Sequence, residues 1–420
     1  MNPPSAGHGA PFDGPSGFPS SAEESPERLA RAALSHLVGY GNARLAGLLR
    51  AVGPREAWAR IGAEHPDIEP RRDLERLRAL GGWLLCPGDS GWPTGLDDLE
   101  RVREPGEPEF GVPLALWVLG DPGSAAVLAE CDRGGVAVVG SRAATAYGQH
   151  VASELACDLA ERKWTVVSGA AFGIDAAAHR GALAGGGTTV AVLACGVDIP
   201  YPAAHTRLLA EVRGQGLLVS EVPPGSPPLR RRFLIRNRLI AALTRGTVLV
   251  EAGVRSGALS TARHTRRLGR GLLVVPGPTT SAMSAGCHRL LRDHREQCAL
   301  VTDARDVEEE IGPVGLPVGR SASALAGPRD DLPAVVAALL EAMPARGVIG
   351  VAVLARRIGL ETVDVLALLG PLEAEGLVES TPDGYRLTSL GRVPAQPRLT
   401  HAPPAPPRED ALFPIREVHP

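Results

Sequence analysis

The sequence predicts an α/β protein: a Rossmann-like, doubly wound parallel sheet with an N-terminal helical domain and a C-terminal winged-helix domain. Two observations carry this. Between Gly134 and Asp303 short apolar runs alternate with helical stretches, and runs apolar at nearly every position suit strands covered on both faces by crossover helices. On either side of that stretch the pattern changes to amphipathic helical periodicity.

Residues 1–25 are rich in Pro, Gly and Ser and are expected to form a disordered tail, unable to bury enough apolar surface to offset chain entropy. Residues 26–99 read as the helical domain. Its runs LARAALSHLVGYG and LAGLLRAVG flank a turn at Gly41, Asn42 and Ala43, a SAM-like or helix-hairpin-helix-like layout. Such helix pairs are common, and simple packing is the favoured role.

Residues 100–311 are assigned to the Rossmann-like domain. Strands are expected at VAVVG from Val136, WTVVSG from Trp164, TTVAVLACG from Thr188, LLVSE from Leu217, TVLVEAG from Thr247, LLVVPG from Leu272 and ALVTD from Ala299. The helices between them are expected at 147–162, 174–184, 204–213, 233–243, 260–268 and 285–293. Residues 312–331, rich in Gly, Pro and Ser, read as a linker. Residues 332–392 give three helical patterns, a TPDG turn and YRLT, the layout of a winged helix. A second disordered tail is expected at 393–420.

Composition narrows the chemistry. Six cysteines stand without any CxxC, and no HExxH occurs, so neither a metal site nor a disulfide framework is expected. No stretch approaches the roughly 20 uncharged residues that span a bilayer, and no secretory leader pattern is present. A soluble cytoplasmic protein without a membrane partner is the expectation. Lys163 is the only lysine, so positive charge is carried by arginine, whose planar fork grips phosphate. A Walker-type or Schiff-base lysine is therefore not expected. The first strand leads into VVGSRAAT rather than GxGxxG, which argues against a dinucleotide cofactor.

In a parallel sheet the strand ends line one edge, where helix N-termini offer backbone N–H groups to anions. Here those ends carry Gly140, Ser141 and Arg142, then Ser168 and Gly169, then Ser256 and Gly257 after the VEAG strand end. Arginines gather nearby, in LRRRFLIRNR with Arg236, Asn237 and Arg238, and again at 263–270. Such a groove suits a phosphate chain better than a single phosphate. Arg236 and Arg238 are two apart on a helix, so at most one is expected to face a shared groove, with Asn237 orienting a neighbouring loop. Phe172, Tyr147 and Phe233 are candidates for stacking on bases. Asp175 suits the first turn of its helix.

VVGSR, SGAAFGIDAAAH, GVDIPYP, SEVPPG, FLIRNRLIAAL, VEAGVRSGALSTA and VPGP occur in this order. With them the chain resembles the DNA-processing protein A (DprA/Smf) family over about 93–306. The resemblance implies a non-enzymatic binder of single-stranded DNA with no cofactor, protecting strands taken up in natural transformation. It also implies loading of a RecA-type recombinase and a homodimer. The DNA-contact inference falls on Gly140, Ser141, Arg142, Ser168, Gly169, Arg236, Asn237, Arg238, Ser256 and Gly257. The family often has a basic residue where Phe172 stands and an Asn where His205 stands, so one electrostatic and one polar contact are expected to differ.

Two rivals compete. A nucleotide phosphoribohydrolase could use a similar sheet, but PGPTTSAMSAG and EAGVRSGALSTA lack a Glu after a GT pair to serve as acid/base. A duplex DNA binder could use the winged helix, but its candidate recognition helix at 361–375 has four acidic residues and no Arg or Lys.

Overall fold

The computed structural model describes residues 25–37, 43–102, 111–121, 124–312, 332–344 and 347–388. Gly41 and Asn42 of the first turn, the linker from Pro313 to Asp331, and both expected tails except Ser25 lie outside them. The chain divides into two compact units, 1–318 and 319–420.

The first unit opens with α1 (Pro26–Ser35), α2 (Ala43–Ile61) and α3 (Pro70–Ala79). Helix α2 breaks at Gly53, whose φ of 76° ends one helical stretch before Pro54 starts the next. Then follow β1 (Trp83–Leu85), α4 (Asp98–Arg101), β2 (Leu116–Gly120), α5 (Ala125–Gly134) and β3 (Gly135–Val139). The alternating series runs α6 (Ala146–Glu161), β4 (Thr165–Ser168), α7 (Ile174–Ala184), β5 (Thr189–Leu193), α8 (Thr206–Gln215) and β6 (Leu217–Ser220). It ends with α9 (Arg230–Ala242), β7 (Gly246–Leu249), α10 (Ala258–Arg267), β8 (Gly271–Val274), α11 (Ala285–Asp293), β9 (Ala299–Leu300) and α12 (Ala304–Ile311).

Nine strands form one sheet in the order β1-β2-β6-β5-β4-β3-β7-β8-β9. From β6 to β9 every pairing is parallel. Successive strands β3 to β6 step outward on one side, and β7 to β9 step outward on the other. The chain therefore reverses direction between β3 and β7, and a crevice opens beyond their carboxyl ends. Alternation along β3 feeds two cores: Val136 and Val138 pack under α6, α7 and α12, while Ala137 and Val139 face the side covered by α9, α10 and α11.

The sequence reading missed the sheet's edge. β1 pairs antiparallel with β2, and β2 antiparallel with β6, so the sheet is mixed. Trp83–Leu85, read within the helical domain, is a strand, because a three-residue apolar run has no periodicity to separate it from a helix turn. Helices α1 and α3 pack on this sheet through Ala32, Leu74 and Leu77 beside Leu84 and Trp117. Arg28 ties α1 to the loop after β1 by donating to both carboxylate oxygens of Asp89, at 2.9 and 2.7 Å.

The second unit has α13 (Ala334–Ala342), α14 (Val351–Ile358), α15 (Thr362–Ala374) and a hairpin of β10 (Val378–Thr381) and β11 (Gly384–Leu387). Its core gathers Leu339, Leu354, Leu369 and Leu387. No helix among the described residues is long and apolar enough to cross a membrane, and no group of three or more His, Cys, Asp or Glu there could hold a metal ion.

Two buried polar contacts fix helices on this sheet. Arg238 of α9, 2% exposed, donates to both carboxylate oxygens of Glu221 at 2.9 and 2.6 Å. His179 of α7 meets Thr189 Oγ1 at 2.8 Å, and that hydroxyl spends its own proton on the Val166 carbonyl at 2.7 Å. The imidazole must then donate from Nδ1. Burial, reinforced by Arg236, His205 and Arg180, pushes its pKa down to about 3.

Breaking the ion pair leaves a buried charge unpaired, so Arg238→Ala should lose about 3–5 kcal/mol of stability in chemical denaturation. Arg238→Met combined with Glu221→Leu should recover most of that loss; no recovery would show that the pair does more than neutralise itself. His179 binds its proton in the unfolded chain near pH 6.5 but resists it in the fold until about pH 3. Its contribution is thus complete above pH 6.5 and declines as pH falls toward 3. Denaturation midpoints across that window should fall less steeply for His179→Gln than for the wild type.

Candidate nucleic-acid interface

At the reversal between β3 and β7 lies a groove of about 1030 Å³. The β3–α6 loop contributes Gly140, Ser141 and Arg142 to its lining. Helix α9 contributes Arg236 and Asn237, and the β7–α10 loop contributes Ser256 and Gly257. Arg230 and Arg255 also line it.

The β3–α6 loop is held from beneath. Ser141 N donates to the Glu251 carbonyl at 2.7 Å, and the Glu251 carboxylate accepts from Thr145 N at 2.9 Å and Thr145 Oγ1 at 2.6 Å. Thr145 in turn caps α6, its hydroxyl accepting from Gly148 N at 3.1 Å. Gly173, at φ 76°, turns the chain into α7 so closely that a Cβ would stand 2.3 Å from the Ser141 carbonyl. That contact admits only glycine.

Asp175, in the first turn of α7 as the sequence suggested, accepts from the backbone N–H of Ala171, Gly140 and Gly169. Burial raises its pKa, opposed by the Arg236 guanidinium and by those three amides. Arg236 is itself buried and donates to the Gly169 carbonyl at 2.8 Å and to the Val192 carbonyl. Burial lowers its pKa to about 10, with Asp175 acting against that shift. Arg236 thus sits in the groove wall while its guanidinium is largely committed to carbonyls at the ends of β4 and β5.

Of the ten residues singled out from sequence, seven line the groove and three do not. Ser168 is fully buried and donates to the Val138 carbonyl at 2.7 Å, locking β4 to β3. Gly169 lies under Arg236, where a Cβ would stand 2.3 Å from the guanidinium. Arg238 points to Glu221 and is not among the residues that line the groove. The spacing argument that separates Arg236 from Arg238 therefore holds, with Arg238 as the residue turned away. Asn237 Nδ2 donates to the Gly257 carbonyl at 3.2 Å and steadies the β7–α10 loop, the role read for it.

Aromatic rings stand at the mouth. Arg142 lies 4.7 Å over the Phe233 ring, and the ring of Tyr201, 40% exposed, lies 5.6 Å from that of Phe233. Tyr201 and Arg255 were missed from sequence; each sits in a segment, GVDIPYP or VEAGVRSG, that follows a strand end. Tyr147, by contrast, donates its hydroxyl to the Pro276 carbonyl at 2.7 Å. Phe172 and His205, the two departures from the family pattern, touch each other edge to face at 4.8 Å.

The sequence model of the family described as DNA recombination-mediator protein A matches residues 83–312. A putative DNA processing protein DprA from Mycobacterium tuberculosis (strain H37Rv) is 44% identical over 383 residues, covering 87% of this chain and 96% of the relative. Protein Smf from Escherichia coli (strain K12) is 36% identical over 287 residues, covering 67% of this chain and 76% of the relative. The X-ray structure of DNA processing protein A from Streptococcus pneumoniae superposes with a TM-score of 0.55 at 28% identity, covering 68% of this chain and 98% of that one. With the crevice, its glycine-serine-arginine loop and these likenesses together, the chain belongs to the DprA/Smf family of DNA-processing proteins.

Proposed function

We propose that the protein binds single-stranded DNA in the β3–β7 groove without chemistry of its own, and that it delivers the coated strand to a RecA-type recombinase. The observation that carries this reading is the groove's lining: three exposed arginines, Arg142, Arg230 and Arg255, against one carboxylate, Asp175, with Arg236 in the same lining but committed to backbone carbonyls. That carboxylate is already engaged by three backbone amides. A lining so biased attracts a phosphodiester chain despite the net charge of −3 on the whole protein. Phe233 and Tyr201 favour a single strand, because unpaired bases can stack on rings and duplex bases cannot, at about 1–3 kcal/mol per stacked base. Recombinase delivery and a role in natural transformation rest on the family alone.

The hydrolase reading needs a carboxylate able to exchange a proton with its substrate. Both carboxyl groups nearest the β3 loop, Asp175 and Glu251, hold loop amides and a hydroxyl instead. Release of free base from nucleoside monophosphates would restore that reading. The duplex reading is opposed by α15, whose stretch from Glu361 to Glu375 has no cation to meet phosphate.

Arg142→Ala should weaken single-strand binding for every base sequence, since a phosphate contact carries no base information. The slope of log affinity against log salt should fall by about 0.7 with it. Unchanged affinity and slope in a folded variant would remove Arg142 from the path of the strand.

One groove holds few nucleotides and should release them readily at moderate salt. Two grooves on a homodimer make the second contact intramolecular, worth roughly 10² to 10⁴ in affinity. Light scattering should therefore give a dimer mass, and affinity should step upward once an oligonucleotide spans both grooves. A monomer mass with a smooth length dependence would leave a one-groove binder.

A further inference from the structure

Beyond the groove, α10 and α11 enclose a second, smaller cleft of about 290 Å³. Its charged lining is Arg263 and Arg266 from α10 with Arg289 from α11 and His294 just past it. Three arginines on two helices are placed here by the 3–4 residue spacing that keeps Arg263 and Arg266 on one face of α10. Among the described residues Arg263 forms no ion pair. Arg266 is steadied by donating Nε–H to Gln297 at 2.7 Å, and Arg289 meets the Asp293 carboxylate only loosely, at 3.5 Å. Asp293 is not in the cleft's lining and is also engaged by Arg292 at 2.9 Å.

The cleft continues the groove. Val254, 54% exposed, lines both. Along α10 the groove takes Ala258 and Thr261, and the cleft takes Leu259, Arg263 and Arg266. At the start of α11 the groove takes Ala285 and the cleft takes Gly286. A chain leaving the groove over the Val254 tip would enter a row of guanidinium groups with the same preference for phosphate. We infer that Arg263, Arg266 and Arg289 form an exit subsite for the sugar-phosphate backbone of the strand held in the groove. The cleft has no aromatic side chain in its lining, so it grips phosphate alone and reads no base. This inference rests on the groove being the DNA site.

The test is a length and salt series on the full-length protein with oligothymidylates, comparing wild type, Arg263→Gln with Arg289→Gln, and Arg142→Ala. The double variant should bind an oligonucleotide short enough to fill the groove alone as wild type does. On longer strands it should lose several-fold in affinity, and its salt slope should fall by about 1.4, two phosphate contacts at about 0.7 each for a single strand. Arg263→Lys with Arg289→Lys should recover much of that loss. Wild-type behaviour of the double Gln variant on long strands, while Arg142→Ala loses binding at every length, overturns the exit subsite and leaves the groove standing. A change of molar mass in the double variant without a DNA effect overturns it in favour of a contact with a second copy. Absence of binding by the wild type at any length overturns both readings.

Discussion

A buried guanidinium beneath the groove holds its parts in register. Arg236 reaches from α9 to carbonyls at the ends of β4 and β5, while Asp175 gathers amides from the loops after β3 and β4. Three strand ends and two helices are thereby joined through one positive and one negative group, neither of which water can reach freely. Such groups are costly to bury and tolerable only when hydrogen bonded. The bonds made here cross between elements and hold the ends of β4 and β5 together with the loops that line the groove. Arg142, Arg230 and Arg255 stand exposed on this base and are free to meet a ligand.

That arrangement divides the arginines of LRRRFLIRNR by depth. Arg230 reaches the groove, Arg236 ties the strand ends, and Arg238 balances Glu221. Three arginines of a run that looks uniformly basic in sequence thus serve three purposes, and of these three only Arg230 adds to the attraction of an anionic chain. Net charge is a poor guide for the same reason: what matters is which arginines lack a carboxylate and face open space.

The parallel core was legible because its strands are apolar at nearly every position, a pattern that only burial on both faces explains. Helices 174–184 and 285–293 were placed to the residue, since each begins where a glycine- or serine-containing turn ends. β1 and β2 were not legible, because an antiparallel edge needs neither length nor a crossover helix to announce it. In the site, the loop from Gly140 to Arg142 followed from topology: a short turn at a strand end must face the crevice. Arg238 could not be placed from local spacing alone, since its fate is decided by Glu221, 17 residues earlier on another element. The contact between Phe172 and His205 was equally hidden. Their rings meet across 33 positions, a ring contact beside the Ala170 carbonyl that His205 also binds at 3.0 Å.

The chain's single lysine, Lys163, sits at φ 70° in the turn from α6 into β4. That turn precedes a strand, whereas the groove follows strand ends, so the amine occupies the opposite edge of the sheet. Acetylation, the common cellular means of erasing positive charge on a DNA-binding surface, has no lysine side chain to act on within the groove. The arginine-built lining keeps its charge through such modification and through any ordinary change of pH. An anionic ligand in the groove therefore meets a positive charge that lysine-directed chemistry cannot erase.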